Sequence, residues 1–212
     1  MNAIERKKFN ISLLGETWVG KTSMVEVLSN NTFSETRIAT IGLDCITQTA
    51  VFDNKNYIFK IFDTAGQEKY NSISASTLKI ADGFLLVFSV DKKETLNKIA
   101  NWIDNIESLA NRKEKVLILV GNKIDINERE VSSEEGKIFA QERGMKYFET
   151  SAKNKFNIKE VFNEMYKDIY ELNKNLENQN KNANDDNKNN KMNTSFGLDK
   201  KNNNRKNDGR CC

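Results

Sequence analysis

The sequence predicts an α/β protein whose mostly parallel sheet carries helices on both faces. Three observations lead there. Short apolar runs alternate with stretches of helical periodicity, which is the pattern of strands joined by helical crossovers. Two of the runs, Gly83–Val90 and Lys115–Val120, are nearly all apolar, as strands covered on both faces are. The segments Gly15–Thr22, Asp63–Gln67, Asn122–Asp125 and Ser151–Lys153 each follow the end of such a run, where open parallel sheets bind ligands.

In chain order, Phe9–Leu14 is a short apolar strand stopped by Gly15, and Thr22–Ser29 is a helix. Asp44–Phe52 and Tyr57–Phe62 flank the polar turn Asp53-Asn54-Lys55-Asn56 and form a hairpin. Gly83–Val90 is a buried strand. Leu96, Ile99, Ile103 and Ile106 recur at helical spacing and predict one helix over Lys93–Leu109. Lys115–Val120 is the fifth strand. Ser132 with Glu135 three residues on is a capping box, opening a helix that runs to about Arg143, with Gly144 to end it. Lys146–Glu149 is the sixth strand. Asn157–Leu172 is the last helix, its apolar face set by Ile158, Val161, Phe162, Met165 and Ile169.

Composition bounds the rest. The chain has 212 residues and 38% hydrophobic content, enough for one sizeable core. After Leu172 the character changes: residues 173–207 hold fourteen Asn and few large apolar side chains, so this segment cannot offset its ordering entropy and is expected to be disordered from residue 173 on, the alternative being a last helix that runs on to about Gln179. The division is thus a domain over 1–172 and an Asn/Lys-rich tail over 173–212. The tail has nine Lys/Arg against five Asp/Glu, whereas the body is close to neutral, which argues against nucleic-acid binding. There is no histidine, so histidine-based triads and histidine metal sites are excluded; three cysteines are too few for a disulfide framework. The longest apolar run is far short of a membrane span, and Met1–Phe9 does not resemble a signal peptide.

Gly15-Glu16-Thr17-Trp18-Val19-Gly20-Lys21-Thr22 fits a phosphate-binding loop between a strand and a helix. In such a loop Gly15, Thr17, Trp18, Val19 and Gly20 wrap backbone around phosphates, and Ser23 continues the helix whose N-terminus attracts anions. Lys21 can reach the β- and γ-phosphates, and the Thr22 hydroxyl can bind Mg²⁺. Asp63 opens the segment Asp63-Thr64-Ala65-Gly66-Gln67 that follows the third strand, and it can hold Mg²⁺ directly or through water. Gly66 can offer a backbone N–H to a γ-phosphate, and Gln67 can orient a water molecule. Asn122-Lys123-Ile124-Asp125 follows the fifth strand. Asp125 can accept the N1–H and 2-amino protons of guanine, which adenine does not offer. Asn122 can brace loops and the Lys123 stem can lie over the base. Ser151-Ala152-Lys153 follows the sixth strand and can present a backbone N–H to guanine O6.

In this order and spacing the motifs resemble those of Ras-superfamily small GTPases, and among them the Rab family, over Lys8–Leu172. The resemblance implies the P-loop GTPase fold, with six strands and one antiparallel hairpin, and a slow GTPase accelerated by a partner. Thr40 in Thr40–Asp44 would be a Mg²⁺ ligand of the first switch, Phe33 the aromatic beside guanine, and Asp63–Glu68 the second switch. Lys21 and Gln67 would carry the catalysis. The implied cofactor is Mg²⁺ with bound GTP or GDP. The implied partners are an exchange factor, a GTPase-activating protein, a GDP dissociation inhibitor, the prenylation machinery and effectors, acting on a monomer at the cytoplasmic face of a membrane in vesicle traffic. The terminal Cys211 and Cys212 would both carry geranylgeranyl groups, beside the basic residues Lys200, Lys201, Arg205, Lys206 and Arg210. The chain departs from the Rab pattern at Phe62, Cys45 and Thr77, where Rabs usually have aromatic Trp, Phe and Tyr or Phe, and at Thr17, Trp18 and Arg37. These departures leave open a second reading, a GTP-binding scaffold with little hydrolysis. An ATP-using enzyme is opposed by Asn122–Asp125.

Overall fold

The computed structural model describes residues 7–33, 43–64, 78–109 and 111–195, with the side chains of residues 43, 44, 112 and 180–195 left aside. The chain divides into two units, Met1–Leu172 and Asn173–Cys212. In the first, strands β1 (Lys8–Leu14), β2 (Leu43–Phe52), β3 (Lys55–Thr64), β4 (Gly83–Ser89), β5 (Val116–Asn122) and β6 (Lys146–Glu149) form one sheet in the order β2-β3-β1-β4-β5-β6. Only the β2–β3 pair is antiparallel; every other neighbouring pair is parallel.

The alternation of side chains along these strands builds two cores. On one face Ile11 and Leu13 of β1, Phe59 and Ile61 of β3, Leu85 and Val87 of β4, and Ile118 and Val120 of β5 meet helix α1 (Lys21–Asn30) and the first turns of α5 (Ile158–Ser195). Their partners on α5 are Ile158, Val161, Phe162, Met165 and Ile169, the five positions that the helical spacing marks. On the other face Phe84, Leu86 and Phe88 of β4 and Leu117 and Leu119 of β5 meet α2 (Lys93–Asn97), α3 (Ile99–Leu109) and α4 (Ser133–Glu142). Burying a side chain of this size contributes about 1.5–3 kcal/mol. Because β4 is covered on both faces, all seven of its residues are buried.

Local chemistry fixes the ends. Ser132 is the N-cap of α4, its Oγ accepting the Glu135 N–H at 3.1 Å. Glu135 itself pairs with Lys93 at 2.8 Å. Gly144 follows the helix with φ +62°, beyond the C-cap Arg143.

Strands β3 and β5 run two residues further than the sequence expectation, to Thr64 and Asn122, and three other differences bear on the architecture. The hairpin closes with two residues, not four: Phe52 pairs with Lys55, and Asp53 and Asn54 take φ 47° and 58°. Asp and Asn tolerate this left-handed pair, which matches the twist of the flanking strands. The turn is anchored to α5, where Tyr170 stacks on Phe52 at 4.7 Å and donates to Asp53 Oδ2 at 2.5 Å. The helix expected over Lys93–Leu109 is broken at Lys98. Leu96 and Ile99, three residues apart, both reach the second core, and the Thr95 hydroxyl, which receives the Ser89 N–H at 3.0 Å and donates to Lys92 O at 2.7 Å, ties α2 to the end of β4. Finally, α5 continues to Ser195, past the Leu172 end expected for it and through residues expected to lack regular structure. The chain has no proline, and no glycine stands between Gly144 and Gly197, so nothing in the covalent structure interrupts the ladder.

Candidate functional site

The loop after β1 is shaped by two glycines. Gly15 has φ +145°, and a Cβ there would lie 2.1 Å from the Val87 carbonyl oxygen of β4. Gly20 has φ +101° at the N-cap of α1, and a Cβ there would lie 2.3 Å from Asn122 Nδ2. No side chain caps α1 and no acidic residue stands in its first turn, so its positive end is offered to the loop. Val19 is buried within this bend. Trp18, at φ 69°, turns outward and is 58% exposed. A bulky residue in that region is strained by about 1–3 kcal/mol.

Lys21 is 5% exposed, and its Nζ donates to the Gly15 carbonyl at 2.8 Å and the Glu16 carbonyl at 2.9 Å. Burial lowers its pKa to about 8, against the pull of the Asp63 and Glu16 charges. A desolvated ammonium in a glycine-shaped loop is a receptor for phosphate oxygens, which would restore its preference for charge. Asp63 is 1% exposed and stands beside Leu13 at the end of β3, where the Thr64 hydroxyl donates to Leu13 O at 2.6 Å. Thr22 is half-buried in the first turn of α1 and Ser23 is buried. A hydroxyl and a carboxylate beside a phosphate loop are the hard oxygen donors that Mg²⁺ takes together with substrate phosphates. The residues present therefore fit a magnesium nucleotide.

The second half of the site is built around Asn122, 1% exposed at the end of β5. Its Nδ2 donates to Val19 O at 2.9 Å, and its Oδ1 accepts from Thr150 Oγ1 at 3.1 Å and from Ala152 N at 3.3 Å. One amide thus joins the phosphate loop to the two loops that follow β5 and β6. Asp125 Oδ1 accepts from Ser151 Oγ at 2.5 Å, and Asn154 N donates to that hydroxyl at 2.9 Å. A carboxylate oriented in this way retains acceptor capacity for two donors in a plane. Lys123, at φ 69°, brings Nζ to 3.6 Å from Asp91 Oδ2. Behind these loops Arg129 binds Glu149, and the Tyr147 hydroxyl lies 3.0 Å from Glu149 Oε1. Burial alone would raise the Glu149 pKa, but the hydrogen bonds from Arg129, Tyr147 and Ser133 outweigh it and hold the carboxyl low.

The structure thus brings Gly15, Val19, Gly20, Lys21, Asp63, Asn122, Asp125, Ser151 and Ala152 to one end of the sheet. Lys153 lies exposed beyond them. Phe33, expected beside a base, packs against the core shared with α1 and α5. Thr40, Gly66, Gln67, Cys211 and Cys212 lie outside the described residues. Sequence reasoning missed Glu16, Asp91 and Thr150. Glu16 carried a signal, a charge inside a phosphate loop. Thr150 carried none, since its role depends on the register of β5 and β6.

A model of the Ras family matches residues 10–171. The chain is 38% identical over 164 residues to the Ras-related protein Rab-12 of Mus musculus, spanning 76% of this chain and 67% of that one. The chain belongs to the Rab family of small GTPases. It is also 39% identical over 170 residues to Rab-8 of Diplobatis ommata, covering 79% of this chain and 80% of the relative. With RABE1d of Arabidopsis thaliana the identity is 41% over 159 residues, 74% and 73% of the two chains. As a Rab-family member the chain binds GTP and GDP and hydrolyses GTP, and the glycine-shaped loop and the Asn122 hub are the parts of its structure suited to that nucleotide.

Proposed function

We propose that this Rab-family GTPase is a membrane-anchored switch of vesicle traffic that holds its nucleotide across the loops joined by Asn122. The observation that carries the reading is that one buried amide ties the phosphate loop to both candidate base-binding loops. In this reading Gly15, Thr17, Trp18, Val19, Gly20 and Ser23 line the phosphates with Lys21, and Lys21 stabilises charge on the β- and γ-oxygens. Asp125 receives the guanine N1–H and 2-amino group, Lys123 lies along the base, and Ala152 and Lys153 complete its edge. Thr22, Thr40 and Asp63 hold Mg²⁺, which when bound neutralises phosphate charge. Gln67 orients the attacking water. Loss of the γ-phosphate releases Thr40 and Gly66, and effectors leave.

Residues 173–212 serve as a tail that ends in two geranylgeranylated cysteines, Cys211 and Cys212, on the cytoplasmic face of an intracellular membrane. No described helix is long and apolar enough to cross a membrane. An exchange factor, a GTPase-activating protein, a GDP dissociation inhibitor and the prenylation machinery act on the monomer. The test is membrane partition of the tagged chain: wild type and Gln67→Leu should sediment with membranes, and the double Cys211→Ser, Cys212→Ser variant should not. Persistent membrane binding of the double variant, with unmodified thiols in the wild type, would refute the anchor.

One observation favours a second reading, a nucleotide-binding scaffold with little hydrolysis: Trp18 is strained and exposed within the phosphate loop. Single-turnover phosphate release with and without a cell extract separates the two, since only the switch is accelerated.

A further inference from the structure

Glu16 is the one acidic residue in the loop that would face the phosphate charges, and its side chain is held from outside that loop. Its carboxylate accepts from Lys98 Nζ at 3.1 Å, across 82 residues of sequence. The same residue's carbonyl accepts from Lys21 Nζ at 2.9 Å. Glu16 is therefore a joint: its main chain holds the lysine that would meet phosphate, and its side chain is tied to a helix boundary. Lys98 in turn is fixed by the break between α2 and α3. Its N–H bonds Glu94 O at 3.1 Å and its carbonyl accepts from Asn101 N at 3.2 Å. The neighbouring Leu96 and Ile99 are 2% and 0% exposed. Glu94, 78% exposed, pairs with the same ammonium at 3.2 Å from the solvent side.

We propose that Lys98 is a positioning residue that acts through Glu16 to set the preference of the loop for GTP over GDP. The Glu16 side chain is 18% exposed, so its charge is only partly screened by water. It acts on Lys21, whose ammonium it favours. Paired with Lys98, its field beyond the pair is that of a dipole. Unpaired, it is a full negative charge beside the phosphate chain. GTP carries one more negative charge than GDP at its far end, so an unpaired Glu16 penalises GTP more. This inference rests on phosphates lying in the Gly15–Thr22 loop.

The test is the dissociation rate of fluorescent GDP and of a non-hydrolysable fluorescent GTP analogue from four full-length chains: wild type, Lys98→Met, Glu16→Gln and the double variant. Lys98→Met should release the GTP analogue up to about fivefold faster relative to GDP, the scale of one partly exposed ion pair. The effect should shrink in about 0.5 M salt, where charges are screened beyond roughly 4–5 Å. In the Glu16→Gln background the same change should lose most of its selectivity, because no loop charge remains to be balanced. Equal selectivity in both backgrounds, or no change in the ratio of the two rates, would overturn the inference. Failure of wild type to bind either nucleotide would overturn the underlying placement as well, and is distinguished by the first chain alone.

Discussion

Asn122→Ala should loosen three loops at once. The side chain makes three buried hydrogen bonds, to Val19 O, Thr150 Oγ1 and Ala152 N. Removing it strands a carbonyl, a hydroxyl and an amide in a place that is 1% exposed. At about 1 kcal/mol for each lost bond the sum is about 3 kcal/mol, and partners left dry push it upward. For a domain of this size about 2–4 °C is lost per kcal/mol, so Tm should fall by about 6–12 °C. The substitution touches neither the γ-phosphate position nor Lys21, so GTP and GDP should weaken together. Thermal unfolding by circular dichroism with titration of both nucleotides measures this. Asn122→Asp is the control of equal shape: it keeps an acceptor for Thr150 and Ala152 but sets a buried carboxylate against the Val19 carbonyl, and should cost at least as much at pH 7. A fall of less than about 2 °C for Asn122→Ala with unchanged nucleotide affinity would refute the idea that this amide holds the site together.

Asp125→Asn should weaken GTP and GDP strongly and turn preference towards xanthine nucleotide, whose 2-oxo group accepts an amide proton; a variant that still prefers GTP by a wide margin contradicts the assignment. Burial holds Lys21 near pKa 8, below the ordinary 10.5, with Asp63 and Glu16 opposing the shift. The fold disfavours the charged form, so the nucleotide-free chain should gain stability as pH rises through about 8 towards 10.5, while nucleotide affinity falls over the same window. Urea midpoints and GDP affinity at pH 7.5 and 9.5 test both signs, and a midpoint that drops while affinity holds would contradict them. Trp18→Gly should leave stability within about 1 kcal/mol of the wild type, because relief of the strain at φ 69°, about 1–3 kcal/mol, is offset by the lost burial of an indole that is 58% exposed and by the freedom of glycine in the unfolded chain. A larger loss of stability in that variant would show that the indole packs to advantage.

The sheet and its two cores were legible because their information is local. The runs Gly83–Val90 and Lys115–Val120 read as buried strands, and β4 and β5 contribute to both cores. The Ser132 cap and the β6 strand Lys146–Glu149 appear where turn chemistry and periodicity put them. Boundaries that depend on distant partners were not legible. The two-residue turn at Asp53-Asn54 is set by pairing and by Tyr170 on α5, 117 residues away. The break at Lys98 stands beside the Thr95 hydroxyl, which is tied to Ser89 N and Lys92 O, and the spacing of Leu96 and Ile99, which an unbroken helix would give as well, does not reveal it. Among site residues, the loop glycines, Lys21, Asp63, Asn122 and Asp125 announce themselves by type and order. Thr150, Asp91 and Lys98 matter through what they touch, and no residue type advertises that.

In the proposed function one end of this sheet discriminates guanine through Asp125 and hydrolyses GTP at the loop that holds Lys21. The most direct measurement loads the full-length chain with fluorescent GDP in Mg²⁺ buffer, chases with GTP, GDP, ATP or xanthosine triphosphate, and follows phosphate release from bound GTP. GTP and GDP should displace the probe at matched low concentrations, ATP and the xanthine nucleotide should not, and phosphate should appear slowly and only from GTP. Displacement by ATP as effective as by GTP would contradict the account.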